Sequence, residues 1–398
     1  MRIRLGAAGE GKRGAYAKTD RLLGGLLEVT SARGVRGPDR VLLEALGGGL
    51  GGRVLVAGGR EGLIAIAASR LHPDARVDLF SMDAYEARRA REALAANEAA
   101  GVRVILGSDL PREEPHDWVL LPVPRTGDAM LVQELISEAH DALAPGGKLL
   151  AACDNPKDRW VRERILETFG SVTIHARGKQ GLAYIARRRP GHEPRARDLR
   201  RAFRARLLGQ ELELETRPGV FSHGELDDGA RALAEAARIR EDSRVIDLGC
   251  GSGALGIAAA LAAPRGKALL VDSQPRSVEA ARANALRNGA ANALVVLAED
   301  LGSAAAGAFD LVLANPPYYA DHRITEHFTS EAFRALATGG EVLVVTKAPQ
   351  RSAEIARAIF GDCSAEERRG YSVVRAVKRA SQGAGRPPAR GSGRSSRR

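Results

Sequence analysis

A chain of 398 residues is too long for one ordinary hydrophobic core and calls for about two domains. Its 44% apolar and 27% charged residues describe a soluble globular protein, and the most apolar Gly/Ala run is cut by Pro264 and Arg265 before it could cross a bilayer. The net charge of +11 favours polyanionic partners, nucleic acid first, because each phosphate neutralised by Lys or Arg releases a condensed counterion.

The opening segment, MRIRLGAAGEGKRGAYAKTD, is basic but has no apolar core behind it, so a cytoplasmic protein without a secretory signal is expected. A strand, glycine turn and helix are read in RVLVAGGREGLIAIAA, Arg53 to Ala68. Short β-branched or leucine-rich runs then alternate with Ala/Arg stretches of helical period, ending in RGKQGLAYIARR, Arg177 to Arg188, which reads as an edge β-hairpin. A Pro/Gly/Arg stretch around Arg189 to Arg195 marks a boundary, and the alternating strand ELELET, Glu211 to Thr216, opens a second unit. RRRPGHEPRARDLRRAFRAR, Arg187 to Arg206, concentrates positive charge, as does the tail ASQGAGRPPARGSGRSSRR, Ala380 to Arg398; the tail is expected to be disordered.

The second unit repeats the first. RVIDLGCGSGALGIAA, Arg244 to Ala259, lies over the Arg53 segment at an offset of 191, which also aligns Asn97 with Asn288 and SDL at Ser108 with EDL at Glu299. At an offset of 193, HDWVLLPVPR from His116 meets FDLVLANPPY from Phe309, and PGGKLL from Pro145 meets TGGEVL from Thr338. Each copy is expected to be a doubly wound α/β domain, a mostly parallel sheet with helices on both faces and a C-terminal β-hairpin. The expected division is residues 1–190, residues 191–380 and a tail, 381–398.

The copies differ where chemistry would be done. DLGCGSG, Asp247 to Gly253, is matched by VAGGREG, Val56 to Gly62, with Arg60 in place of Gly251; Asp272 is matched by Ser81, and Asn315-Pro316-Pro317-Tyr318 by Pro122-Val123-Pro124-Arg125. The first copy reads as a catalytically silent domain kept for structure or RNA contact. Cys153, Cys250 and Cys363 are far apart, with no histidine at ligand spacing, so neither zinc nor a disulfide is expected. His223, His322 and His327 read as loop or surface residues.

Glycines between strand and helix let a ligand approach the backbone. Gly251, Gly253 and Gly256 also satisfy the G-x-G-x-x-G dinucleotide pattern, with Asp272 at the spacing of a ribose-binding acid, which keeps a nicotinamide dehydrogenase open as a rival. An acid before the glycines, Asp247, and NPPY after the fourth strand point instead to S-adenosylmethionine. Asp247, Gly249, Gly251 and Gly253 would cradle the amino-acid end, Asp272 and the adjacent Ser273 the ribose, and Asp300 the adenine amino group. A strand-end cap is the plainer reading of each carboxylate. The NPPY segment suits a planar amine, whose lone pair is delocalised and must be aimed. The Asn315 oxygen and the Pro316 carbonyl can accept its two N–H bonds, Pro317 stiffens the loop, and Tyr318 offers a stacking face.

These motifs, together with the duplication, make the chain resemble the bacterial ribosomal RNA guanine-N2 methyltransferases, the group that comprises methyltransferase C, acting on the small ribosomal subunit, and methyltransferase G, acting on the large one. The resemblance extends over nearly the whole chain. It implies tandem Rossmann-like class I methyltransferase domains, the first degenerate, with S-adenosylmethionine as cofactor and ribosomal RNA, more especially of the small subunit, as partner. It further implies a monomer needing no metal. PGVFSHGELDDGARAL, Pro218 to Leu233, resembles the family segment that closes over the cofactor, which would put Phe221 and Ser222 beside it and start the covering helix at Asp227 and Gly229. NPPY alone serves equally for adenine-N6 or protein-glutamine methylation, and a non-catalytic RNA-binding protein is the rival from another class.

Overall fold

The computed structural model describes residues 1–4, 18–31, 34–35, 37–47, 49–194, 197–302, 306–316 and 323–380. Pro317, Tyr318, His322 and the arginine-rich tail therefore lie outside the described residues. The chain groups into two compact units, residues 1–199 with 274–276, and residues 200–273 with 277–398. Among the described residues no helix is long and apolar enough to cross a membrane.

The first unit begins with three strands, β1 (Arg2–Arg4), β2 (Lys18–Leu22) and β3 (Leu27–Ser31), which form a small sheet in the order β1-β3-β2. After α1 (Gly37–Ala45) come β4 (Arg53–Ala57), α2 (Leu63–Leu71), β5 (Arg76–Ser81), α3 (Ala84–Ala96), β6 (Arg103–Leu106), β7 (His116–Val123), α4 (Ala129–Ala142), β8 (Leu143–Cys153), α5 (Trp160–Phe169), β9 (Thr173–Arg177) and β10 (Leu182–Arg187). The main sheet runs β6-β5-β4-β7-β8-β10-β9. It is parallel up to β8, after which β10 and β9 join antiparallel as the expected hairpin.

The second unit opens with the hairpin β11 (Arg201–Leu207) and β12 (Gln210–Thr216). It continues through α6 (Asp228–Ala236), β13 (Arg244–Leu248), α7 (Ala254–Ala262), β14 (Lys267–Asp272), α8 (Pro275–Arg287), β15 (Ala293–Leu297), β16 (Phe309–Ala314), α9 (Arg323–Ala335), β17 (Leu336–Thr346), α10 (Pro349–Phe360), β18 (Ser364–Arg368) and β19 (Tyr371–Val377). Its sheet order, β15-β14-β13-β16-β17-β19-β18, reproduces that of the first unit. Period-2 alternation sorts the side chains onto two faces. Val245, Leu311, Leu313, Leu343 and Val345 pack with Ile257 of α7 and Ala281 of α8, whereas Ile246, Val312, Ala314, Val342 and Val344 pack with Phe333 of α9 and Phe360 of α10. Phe333 and Phe360 meet edge to face, with centroids 5.0 Å apart and planes at 83°. Truncating the fully buried Phe360 to Ala is expected to cost about 3–5 kcal/mol, measured as a loss of unfolding free energy in denaturant.

The repeat carries its structural braces with it. Asn97 accepts from the Arg4 amide and donates to the Arg4 carbonyl, tying α3 to β1; Asn288 does the same with Glu213, tying α8 to β12. The carboxylate of Glu138 accepts from the Leu110 amide at 3.0 Å, and that of Glu331 from the Leu301 amide at 2.9 Å. Asp117 and Asp310 each accept the first amide of the adjacent central strand, Arg53 and Arg244, at 2.8 Å. Each carboxylate or amide satisfies backbone groups that a sheet edge or strand end would leave unpaired.

The last part of the arginine-rich stretch is paired with an acidic strand. Arg201–Leu207 is a strand whose partner carries Glu211, Glu213 and Glu215 opposite Arg206, Arg204 and Ala202, and Arg204 pairs with Glu213 at 2.7 Å. Cross-strand carboxylates answer the arginines, so the charge a polyanion would meet on this ribbon is smaller than the sequence of β11 alone implies.

Candidate active site at the carboxyl ends of the second sheet

Leu248 pairs with Val271 on one side and Ala314 on the other. The next residues, Gly249, Asp272 and Asn315, therefore stand level at the carboxyl end of the sheet. Strand order reverses there, β14 lying to one side of β13 and β16 to the other, which opens a crevice for a ligand.

The glycine loop hangs from Val271, whose carbonyl accepts from the Gly249 amide at 2.8 Å and the Cys250 amide at 3.0 Å. Gly249, Gly251 and Gly253 have φ of +77°, +55° and +81°, a region side chains rarely tolerate. A Cβ on Gly253 would stand 2.9 Å from that of Ala281, and one on Gly256 would stand 2.5 Å from Leu270 Cγ, so both glycines let helix and strand pack closely. Among the described residues, a Cβ at Gly251 would meet only Phe221 Cβ, at 3.9 Å. The Gly251 amide donates to the Asp272 carboxylate at 2.9 Å, which bridges the loop to the end of β14, directly before Ser273. Asn284 of α8 donates to the Ser252 carbonyl and exchanges two bonds with Glu215, pinning the other side of the loop to β12.

Asp247 sits behind the glycines, 4% exposed, and one carboxylate oxygen accepts from the Gly256 amide in the first turn of α7 at 2.7 Å. Burial pushes its carboxyl up to about 7; the Gly256 bond opposes the rise and the charge of Asp272 adds to it. Because the folded value lies above the unfolded one, the native state holds a proton that the unfolded chain has released, and stability falls as pH rises from about 4 through about 7. Asp247→Asn, which keeps an acceptor for Gly256, is expected to raise the unfolding temperature by several degrees at pH 8 and by much less at pH 5, as read by calorimetry. The same burial, with Asp272 and Asp247 nearby, raises the Cys250 thiol well above its usual range and leaves it a neutral packing group.

Asp300 is exposed, and its carboxylate accepts from the Gly302 amide at 3.0 Å in the turn beyond β15. Phe221 is 48% exposed and Ser222 has φ +57°, in the turn between β12 and α6. Thr216 braces this turn by accepting from the Gly224 amide and pairing with His223 Nδ1, both at 2.9 Å. Asp227 caps α6 through the Ala230 amide at 3.2 Å. Asn315 follows the last residue of β16, with Pro316 buried behind it, and donates from Nδ2 to Asp227 Oδ2 at 2.8 Å. Sequence reasoning placed Asp227 at the start of the helix but held no sign of this bond, which spans 88 residues.

The first unit shows what replaces these groups. Arg60 donates its amide to the buried Asp39 at 3.1 Å, and Glu61, at φ +48°, is held by Arg89 at 2.6 Å. Ser81 turns its hydroxyl to the Asp83 carbonyl. Strand β7 also runs on through Pro122 and Val123, paired with Ala152 and Cys153, whereas β16 stops at Ala314. The register that releases Asn315 from the ladder in one copy keeps its counterpart in the sheet in the other.

A doubly wound sheet whose glycine loop, strand-end acid and post-strand asparagine meet at the reversal of strand order has the Rossmann-like architecture of the class I methyltransferases. The chain belongs to the methyltransferase small domain family, whose model matches residues 26–182 and again 211–375. It is 34% identical to ribosomal RNA large subunit methyltransferase G of Ectopseudomonas mendocina over 61% of this chain and 66% of that protein. The Streptomyces avermitilis protein of the same name is 29% identical over 85% and 90%, and ribosomal RNA small subunit methyltransferase C of Pseudomonas entomophila is 31% identical over 47% and 58%. The chain thus spans just under two thirds of the Ectopseudomonas relative's length. Among solved structures, a 16S rRNA N2-guanine methyltransferase of T. thermophilus, in complex with AdoMet and guanosine, superposes with a TM-score of 0.71 at 25% identity, over 92% of this chain and 99% of that one.

Proposed function

We propose that the protein is an S-adenosylmethionine-dependent methyltransferase that modifies the exocyclic N2 amine of a guanine in ribosomal RNA of the small subunit. Residues 191–380 would form the catalytic domain and residues 1–190 a degenerate copy. The observation that carries this reading is the side-by-side placement of Asn315 and the open glycine loop, which sets an amide acceptor beside a cofactor cradle. Likeness to the T. thermophilus enzyme along nearly its whole length supports the small subunit. Relatives named for the large subunit favour the second reading, a guanine of the large-subunit RNA.

The residues fit the cofactor. Backbone at Gly251 is open to close approach, Asp272 sits at the strand end where a ribose diol needs an anion, and Arg60 stands at the matching place in the copy that lost the motif. Gly249, Gly251 and Gly253, with Asp247 behind them, would hold the amino-acid end, Asp272 and Ser273 the ribose, and Asp300 the adenine edge, with Phe221 and Ser222 covering them. The bound cofactor supplies an electrophilic methyl on a sulfonium. Asn315 and the carbonyl of Pro316 accept the two N–H bonds of the guanine amine, which points its lone pair and stabilises the positive charge that develops on nitrogen. Tyr318 gives the base a face to stack on. The product amine is acidic enough to lose its extra proton to water, so no tuned base is required. The enzyme would act in the cytoplasm as a monomer.

Incubation with methyl-labelled cofactor and unmethylated 30S or 50S particles tests this. Label in 16S RNA is expected, label in 23S RNA would move the assignment to the second reading, and label confined to protein would refute both.

A further inference from the structure

A carboxylate has no hydrogen to give, so the amide of Asn315 must turn its NH2 toward Asp227, and its carbonyl oxygen diverges to the other side. The direction matters because an asparagine can rotate by half a turn about its last torsion at little steric cost. In the rotated state it would present two N–H donors to an incoming amine that is itself a donor, and the pair would repel. The same Asp227 oxygen also accepts from Ala230, so the bond that orients the amide is built on the N-cap of α6, directly after the Phe221–Ser222 turn.

We propose that Asp227 is a positioning residue. It locks Asn315 in the one rotational state that offers an acceptor to the substrate amine, and it ties that state to the helix that follows the covering turn. The inference rests on the proposed role of Asn315 as that acceptor and adds what fixes its orientation.

Cap and lock can be separated by substitution. Asp227→Ser keeps an N-capping oxygen but is too short to reach Asn315, and Asp227→Asn can place its amide oxygen where Oδ2 now accepts both bonds. Asp227→Ser is expected to lower kcat roughly 10- to 100-fold, with KM for RNA, calorimetric affinity for S-adenosylmethionine and unfolding temperature close to wild type; Asp227→Asn is expected to restore most of kcat. A sharper arm uses Asn315→Asp, itself an acceptor for N–H. Beside Asp227 it sets carboxylate against carboxylate, whereas beside Asp227→Asn it regains a donor, so the double variant is expected to be more active than Asn315→Asp alone. Wild-type kcat in Asp227→Ser would overturn the lock, as would equal activity of Asn315→Asp in both backgrounds or a kcat loss matched by a fall in unfolding temperature. Full turnover by Asn315→Ala would instead remove the reading of the site on which the lock depends.

Discussion

Asn315→Ala is expected to lower the rate of methyl transfer by at least 10²- to 10³-fold, the usual cost of removing one pre-aimed hydrogen-bonding group from a transition state, while the affinity for S-adenosylmethionine stays nearly intact. The separation follows from the geometry. Asn315 lies at the end of β16, across Gly249 from Asp272, and its side-chain amide bonds to Asp227 at the start of α6. Removing that amide leaves Gly251 bonded to Asp272 and Gly256 bonded to Asp247, so the cofactor cradle keeps its shape. Single-turnover rates and calorimetric titration on the same preparation check both halves. Retained turnover would show that the amine is aimed by something else.

Asp272→Ala is expected to fail in the opposite way. Its carboxylate accepts from Gly251 and, in the proposed role, would accept two ribose hydroxyls, and charge-assisted bonds of that kind contribute about 1.5–3 kcal/mol each. Losing two of them weakens cofactor binding by roughly 10²- to 10⁴-fold, and loosening the loop adds to the loss. The effect belongs in Kd and in KM for S-adenosylmethionine, with kcat at saturation far less affected. Comparable losses of kcat in both variants, with unchanged affinity, would place both groups on the reacting amine and contradict the division of labour between β14 and β16.

Much of this was legible in the sequence because it lies in short runs. The glycine loop, the strand-end acid and the two offsets, between RVLVAGG and RVIDLGC and between HDWVLLPVPR and FDLVLANPPY, are enough to show a doubled α/β sheet. Both terminal hairpins appear as antiparallel additions to the sheet, β9 with β10 and β18 with β19. What escaped the sequence depends on partners distant in the chain. Asn97 and Asn288 aligned as letters, but their task of holding β1 and β12 appears only when the strands are in place. Arg204 and Arg206 read as part of a basic stretch, and only the pairing of β11 with β12 brings Glu213 and Glu211 opposite them. Asp247 read as the acid ahead of the glycines, and its burial against the first turn of α7 appears only once the helix is packed. That burial costs stability above neutral pH, where the carboxyl must ionise beside the loop.

In the proposed function the second unit transfers a methyl group to a guanine N2 amine aimed by Asn315. Nucleoside mass spectrometry of ribosomal RNA, taken from unmethylated particles before and after treatment with the purified protein and S-adenosylmethionine, tests it most directly. One N2-methylguanosine per particle is expected with wild type and, over the same short interval, roughly a hundredth of that or less with Asn315→Ala. Methyl on adenine N6, on a carbon or on no nucleoside at all would contradict it.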